Sequence, residues 1–195
     1  MADEKETLHR YLRRQRGALR AKLDGLDEYD ARRPLVPTGT NLLGLVRHVA
    51  GVQLEYFGAV FGRPADRWFP WQDDEPDADT WVPAGIPRAD VLRFADLSDQ
   101  HADATIAALP LDAPGDVPWW GERRSTTLHT VLTHMTVEAA RHAGHADLLR
   151  ELIDGSTAGG SPVVGAPTPT AAQWAARRDR IEAAAREAER VRSGR

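Results

Sequence analysis

The sequence predicts an all-α protein: a four-helix bundle with a long crossover between helices two and three and a peripheral C-terminal helix. Three observations predict it. Four long segments carry apolar residues at three- and four-residue intervals. No segment alternates apolar and polar residues as a half-buried strand does. Stretches rich in proline and glycine separate the periodic segments.

The first helix is expected from about Asp3 to Leu26, with Leu8, Tyr11, Leu12, Leu19, Leu23 and Leu26 as its apolar stripe and Arg, Glu, Lys and Gln on a solvated face. "DARRPLVPTGT" follows as a loop. Thr40 is placed to cap a second helix, from about Asn41 to Phe61, whose stripe is Leu42, Leu45, Val46, Val49, Val52 and Phe57. His48 lies beside that stripe. The crossover "GRPADRWFPWQDDEPDADTWVPAGIP" is long enough to suggest function. Its Trp68, Phe69, Trp71 and Trp81 are expected to pack over an end or flank of the bundle.

The third helix runs from about Arg88 to Leu109, burying Val91, Leu92, Phe94, Ala95, Leu97, Ala102, Thr105, Ile106 and Leu109. Pro110 and Pro114 stop it, and the next loop brings Trp119 and Trp120. The fourth helix runs from about Thr126 to Asp154, with Gly155 where a left-handed residue ends a helix. Residues 156–170 form a Gly/Pro/Ser/Thr linker, and 171–195 a helical extension with sparse apolar positions, Trp174, Ile181 and Val191. The domain proper is therefore expected over residues 1–155.

Composition narrows the function. Of 195 residues, 42% are hydrophobic and 28% charged, the balance of a soluble globular protein. A net charge of -4 gives no reason to expect nucleic acid or an anionic membrane as partner. The chain has no cysteine, which excludes disulfides, thiolate metal ligands and a cysteine nucleophile. Any sulfur chemistry needs a thiol from outside. "MADEKETLHRYLRRQRG" lacks an apolar signal core, and no apolar run is long enough to span a bilayer. The expected location is the cytoplasm, as a monomer or homodimer.

One stretch carries the chemistry: "TVEAARHAGHADLLREL", residues 136–152. Its helix has the apolar stripe Val131, Leu132, Met135, Ala139, Ala146, Leu149 and Ile153. Positions 135, 138, 142, 145 and 149 share one face, so Glu138 and His142 interrupt that stripe. A carboxylate set among apolar residues is costly without a partner. A divalent cation is one solution, and His48 is the best third ligand. Two imidazoles and a carboxylate suit zinc with positions left open, and Ni, Mn or Fe also accept such donors. The rival is a buried salt bridge from Glu138 to Arg141 or to an arginine of another helix. His145 fits a proton relay or substrate contact, and His134 has the same options. His9, His101 and His129 read as surface or satisfied structural histidines. The spacing is not that of a di-iron site, since position 141 is Arg and no second Glu-x-x-His follows.

Two pieces, "LLGLVRHVAGVQLEYF" and "TLHTVLTHMTVEAARHAGHADLLRELIDG", resemble the DinB/YfiT-like superfamily of metal-binding four-helix bundles. The second is similar to its actinobacterial branch of unknown function. The resemblance implies an up-down-down-up bundle and a divalent metal, often zinc. It places the ligands on His48, Glu138 and His142; the first residue of the His-x-x-x-His pair is often Glu in the thiol-dependent maleylpyruvate isomerase branch. Characterised members transfer or isomerise with a low-molecular-weight thiol such as mycothiol or bacillithiol. The expected function is thus a metal-dependent S-transferase or isomerase acting on a small thiol and a small electrophile, with His145 and Arg141 as candidate catalytic residues. The alternatives are a metal-dependent hydrolase and a non-catalytic metal- or ligand-binding stress-response protein.

Overall fold

The computed structural model describes residues 3–65, 78–156 and 168–193. Trp68, Phe69 and Trp71 lie outside them. The chain divides into two compact units, residues 1–156 and 157–195.

The first unit is mostly helical. Helix α1 spans Glu4–Ala21 and opens with Glu4 and Glu6, whose charges complement the positive end of the helix dipole. It ends earlier than the apolar period suggested, before Gly25 adopts φ 74°. A short helix, α2 (Glu28–Arg32), then forms where the sequence read as loop. Asp27 caps it by accepting from the Asp30 amide at 2.8 Å. Helix α3 is Leu42–Phe57. Its cap is Asn41 rather than Thr40, because the Asn41 side-chain oxygen Oδ1 accepts from the Gly44 amide at 2.8 Å. A 3₁₀ turn at Ala59–Phe61 replaces the expected last turn.

Helix α4 covers Arg88–Ala108. The following loop holds a strand pair absent from the sequence reading, β1 (Pro114–Asp116) antiparallel to β2 (Ser125–Thr127), with Gly115 opposite Thr126. A side chain at Gly115 would meet the Phe61 ring at 2.8 Å, so glycine allows the ribbon to lie against that turn. Helix α5 is Leu128–Asp154; Thr127 caps its start and Gly155, at φ 74°, ends it as expected.

Helix α3 packs against α4 and α5, and α5 packs against α1, around one apolar core. Leu12, Leu43, Phe57, Ile106, Leu132 and Met135 are all fully buried there. Most of the stripe residues are buried, but Tyr11, assigned to the stripe of the first helix, is 48% exposed. Leu97, assigned to the buried face of the third helix, is half exposed, while Ser98 is fully buried. The Ser98 hydroxyl donates to the Ala50 carbonyl at 2.7 Å and accepts from Gln53 at 2.9 Å. Likewise Arg16, read as solvated, is only 4% exposed. It donates to Gln53 at 3.0 Å and Asp103 at 2.7 Å, and its Nε lies 3.3 Å from Asp99 without hydrogen-bond geometry. His9 joins the same network through Asp103 at 2.7 Å. A buried polar layer thus ties α1, α3 and α4 together, as buried polar groups require.

The second unit contains α6, Ala171–Ser193, none of whose described residues is buried. Arg186 and Glu182 form one of its surface i,i+4 pairs, at 2.7 Å. No described helix is long and apolar enough to cross a membrane.

Candidate functional site

Three elements hold the site: a turn of the crossover carries Asp79, α3 carries His48, and α5 carries Glu138, His142 and His145. Asp79 sits on a 3₁₀ turn, Ala78–Thr80, in the crossover. Three contacts press that turn onto α3. Arg47 donates to the carbonyl of Ala78 at 2.6 Å and to that of Trp81. The Asn41 amide reaches Thr80 O at 3.3 Å. Gly44 lets the turn approach so closely that a Cβ would stand 1.8 Å from Thr80 O. The seated turn brings the Asp79 carboxylate onto Nδ1 of His48. Burial works to raise the Asp79 pKa, but the hydrogen bond and charge of His48 outweigh it and hold the carboxyl below its usual range.

Gly44→Ala is accordingly expected to unseat the turn. Backbone cannot yield as a flexible side chain does, so about 1–3 kcal/mol of stability should be lost. Urea denaturation measures this, and the His48 ring NMR signals should shift with the loss of Asp79. Unchanged stability and unchanged His48 signals would count against the seating.

His48 faces α5. Its ring centroid lies 4.9 Å from that of His142 at 75°. Glu138 Oε2 is 3.6 Å from His142 Nε2, longer than a hydrogen bond. The other Glu138 oxygen lies 3.7 Å from Arg141, whose own side chain is 60% exposed. The rival salt bridge is therefore present but loose. Glu138 and His142 are half-buried and line the edge of the stripe rather than its middle. His145 is exposed, 5.5 Å from the His142 ring centroid.

His142 is electrostatically unusual. Burial first, then the neighbouring His48, pushes its pKa down to about 4, against a smaller upward pull from Glu138. The ring is thus neutral near pH 7, and its Nδ1 is buried without a hydrogen-bond partner among the described residues. The unfolded chain takes up this proton below about pH 6.5 while the folded chain refuses it until about pH 4. Stability must therefore fall as pH falls through that window, by up to ~1.4 kcal/mol per pH unit. Denaturation of the metal-free protein at pH 7.5 and pH 5 should show a larger loss for wild type than for His142→Gln. Equal losses would contradict the sign.

The donor set fits a borderline divalent cation. Two neutral imidazoles from different helices stand beside a carboxylate. The Asp79–His48 pair repeats the carboxylate–histidine arrangement that orients a metal-binding ring and leaves Nε2 its lone pair. Among the described residues no three His, Asp or Glu side chains are gathered tightly enough to clasp an ion as they stand.

Two cavities flank this cluster along α5. One, of about 970 Å³, is lined by Trp119, Trp120, Arg123, Thr130 and His134 among others. Behind the two tryptophans lies Tyr56, only 5% exposed, whose hydroxyl accepts from Trp119 at 3.0 Å and Trp120 at 2.8 Å. His134 stacks against Tyr56 at 4.9 Å, and burial pushes its pKa down. The two tryptophans thus anchor the loop through Tyr56 and also line a cavity. The other cavity, of about 760 Å³, has His145 in its wall.

Of the remaining histidines, His9 is satisfied by Asp103 and His129 contacts Glu4 at 3.3 Å on the surface. His101 departs from the sequence reading, for its Nε2 is buried without a hydrogen-bond partner among the described residues. Sequence reasoning missed Asp79, Tyr56 and Gln53. The only signal for Gln53 was an uncharged polar residue on an otherwise apolar helix face. Nothing marked Asp79 among the acids of its loop.

Histidines of two helices, oriented by an acidic turn and flanked by a carboxylate, define a small helical protein with a candidate metal-ligating centre. The chain belongs to the mycothiol S-transferase family, whose model, described as mycothiol-S-transferase, matches residues 7–155. That family is part of the DinB/YfiT-like superfamily. Among solved structures, the chain is similar to a crystal structure of the conserved protein of a locus from Enterococcus faecalis. The TM-score is 0.56 and the identity 16%, covering 80% of this chain and 100% of that one. At that identity the likeness concerns the fold alone. No curated protein matches the chain.

Proposed function

We propose that this protein is a metal-dependent S-transferase that joins a low-molecular-weight thiol of the mycothiol type to a small electrophile. The observation that carries the reading is the meeting of His48 and His142 beside Glu138, in a family described by thiol transfer and a chain without cysteine. Residues 1–155 are the working domain, with the up-down-down-up connection of the superfamily; 156–170 are a linker and 171–195 an extension.

His48, Glu138 and His142 would hold the cation, zinc being the best match to these donors. When bound, it would supply Lewis acidity that favours the thiolate over the thiol. The chain's residues do the rest. Asp79 fixes the His48 ring, and His142, kept neutral by burial, offers its lone pair. His145, exposed beside the cluster, takes the thiol proton and passes it to water. Arg141 steadies Glu138 and can hold an anionic group of the thiol. The sulfur forms one bond to the electrophilic carbon, the leaving group departs with its electron pair, and no oxidant or reductant is needed.

The test follows mycothiol consumption with benzyl chloride and a panel of other electrophiles, against the uncatalysed rate and Glu138→Ala. Acceleration of at least about a hundredfold, lost in the variant, is expected. Absence of acceleration with every electrophile, together with no thiol binding by calorimetry, would replace this reading with a non-catalytic metal-binding protein.

A further inference from the structure

The cavity beyond His145 differs in chemistry from its neighbour. It lies between the 36–40 turn and the C-terminal turns of α5, and its volume is about 760 Å³. Val36, Leu148, Leu149 and Leu152 give it an apolar lining. Its polar groups are the Thr38 and Thr40 hydroxyls, Glu151 and His145. Among the described residues no Lys or Arg lines it, whereas Arg123 lines the cavity at the other end of α5. An anionic ligand therefore meets a carboxylate and no countercharge here. The volume falls within the range of small-molecule sites, which are mostly apolar with a few polar groups. Leu148 and Leu152 are each 63% exposed. Two large apolar side chains left open at one rim mark a surface that gains by being covered.

Position links the cavity to chemistry. Residues 138, 142, 145, 149 and 152 follow one another at three- and four-residue steps, so they share a face of α5. His145 lines the cavity and stands 5.5 Å from His142, ring centroid to ring centroid. From His142 to Leu149 the helix rises only about 10 Å. A ligand seated on the leucines can place a reactive carbon at the imidazole cluster.

We propose that this cavity is the binding site for an uncharged, apolar electrophile, such as an aryl or benzylic halide, held by Leu148, Leu149 and Leu152 with its reactive end toward His145. The proposal rests on the S-transfer reading and adds to it the place and polarity of the second substrate. In the reaction, sulfur bonds to the benzylic carbon, the carbon–halogen bond breaks, halide leaves with the electron pair, and the thiol proton passes to His145.

Naphthalene, unreactive and apolar, is the probe. Methyl NMR of the full-length protein titrated with naphthalene should move Val36, Leu148, Leu149 and Leu152 together. Leu148→Gln combined with Leu152→Gln, both at exposed positions, should weaken binding at least about tenfold while leaving melting temperature unchanged. Naphthalene should raise the apparent KM for benzyl chloride and leave kcat unaltered. Shifts confined to the Trp119/Trp120 cavity would overturn the proposal, as would transfer that naphthalene does not inhibit. Methyl shifts that appear on concentrating the protein alone would overturn it in favour of an interface between two copies. Naphthalene binding at these leucines in a protein that transfers no thiol would keep the apolar site and remove the transfer reading.

Discussion

Glu138→Ala and His142→Ala are each expected to lower bound zinc from close to one per chain to below about a tenth of that under the same dialysis, since each removes one of the three donors of the proposed site. Both side chains are half-buried at the edge of the core, so truncation should not unfold the protein. Elemental analysis of dialysed protein measures the content. Asp79→Asn is the graded case. It keeps the turn and its size but weakens the group that orients His48, so zinc should bind about 10–100-fold more weakly rather than vanish. Metal content unchanged in both alanine variants would sink the ligand assignment. Content lost in those two but unchanged in Asp79→Asn would leave the ligands standing and remove the orienting role of Asp79.

Replacing Arg16 should be the most destabilising single change outside the apolar core. Its guanidinium is buried against Asp103, Asp99 and Gln53, and Arg16→Met takes the arginine from Asp103, which keeps only His9, and leaves Asp99 with Arg20 alone. Removal of one partner from a buried pair costs roughly 3–5 kcal/mol. Asp99 and Asp103 keep 24% and 35% side-chain exposure, so water recovers part of the loss and about 3 kcal/mol is expected. Urea denaturation of Arg16→Met, Asp103→Leu and the double variant measures it. The double variant should be more stable than either single change, because no unpaired charge is then buried beside the other. A loss below about 1 kcal/mol for Arg16→Met would show that the pairs act as surface ion pairs do.

Much of the helical framework was legible because its signal is long and redundant. The stripes of α1, α3, α4 and α5 repeat over several turns, and each caps or stops where local chemistry demands, as at Gly155. Shorter elements carried no comparable signal. Three-residue strands cannot show alternation, and a five-residue α2 cannot show a helical period. The N-cap was misplaced by one residue because Thr40 and Asn41 are both good caps. Only the hydrogen bond to Gly44 chooses between them.

The candidate site divides in the same way. Spacing on one helix made Glu138, His142 and His145 a set, and His48 stood out beside an apolar stripe. Asp79 could not be found so, since its turn is seated by Gly44, Asn41 and Arg47 from a distant helix. Arg16, Gln53 and Ser98 were missed for a related reason. Polar residues are assigned to solvent until a partner is known, and their partners come from other helices.

By itself the sequence determined where the long helices run, which of their faces are mostly apolar, that sulfur chemistry needs an outside thiol, and that Glu138, His142 and His145 share one face of a helix. Those follow from local periodicity and residue chemistry. Only the tertiary structure decided that His48 meets His142, that Asp79 orients His48, and that two cavities of different polarity flank them. Each depends on contacts between residues far apart in the chain, which local sequence does not encode.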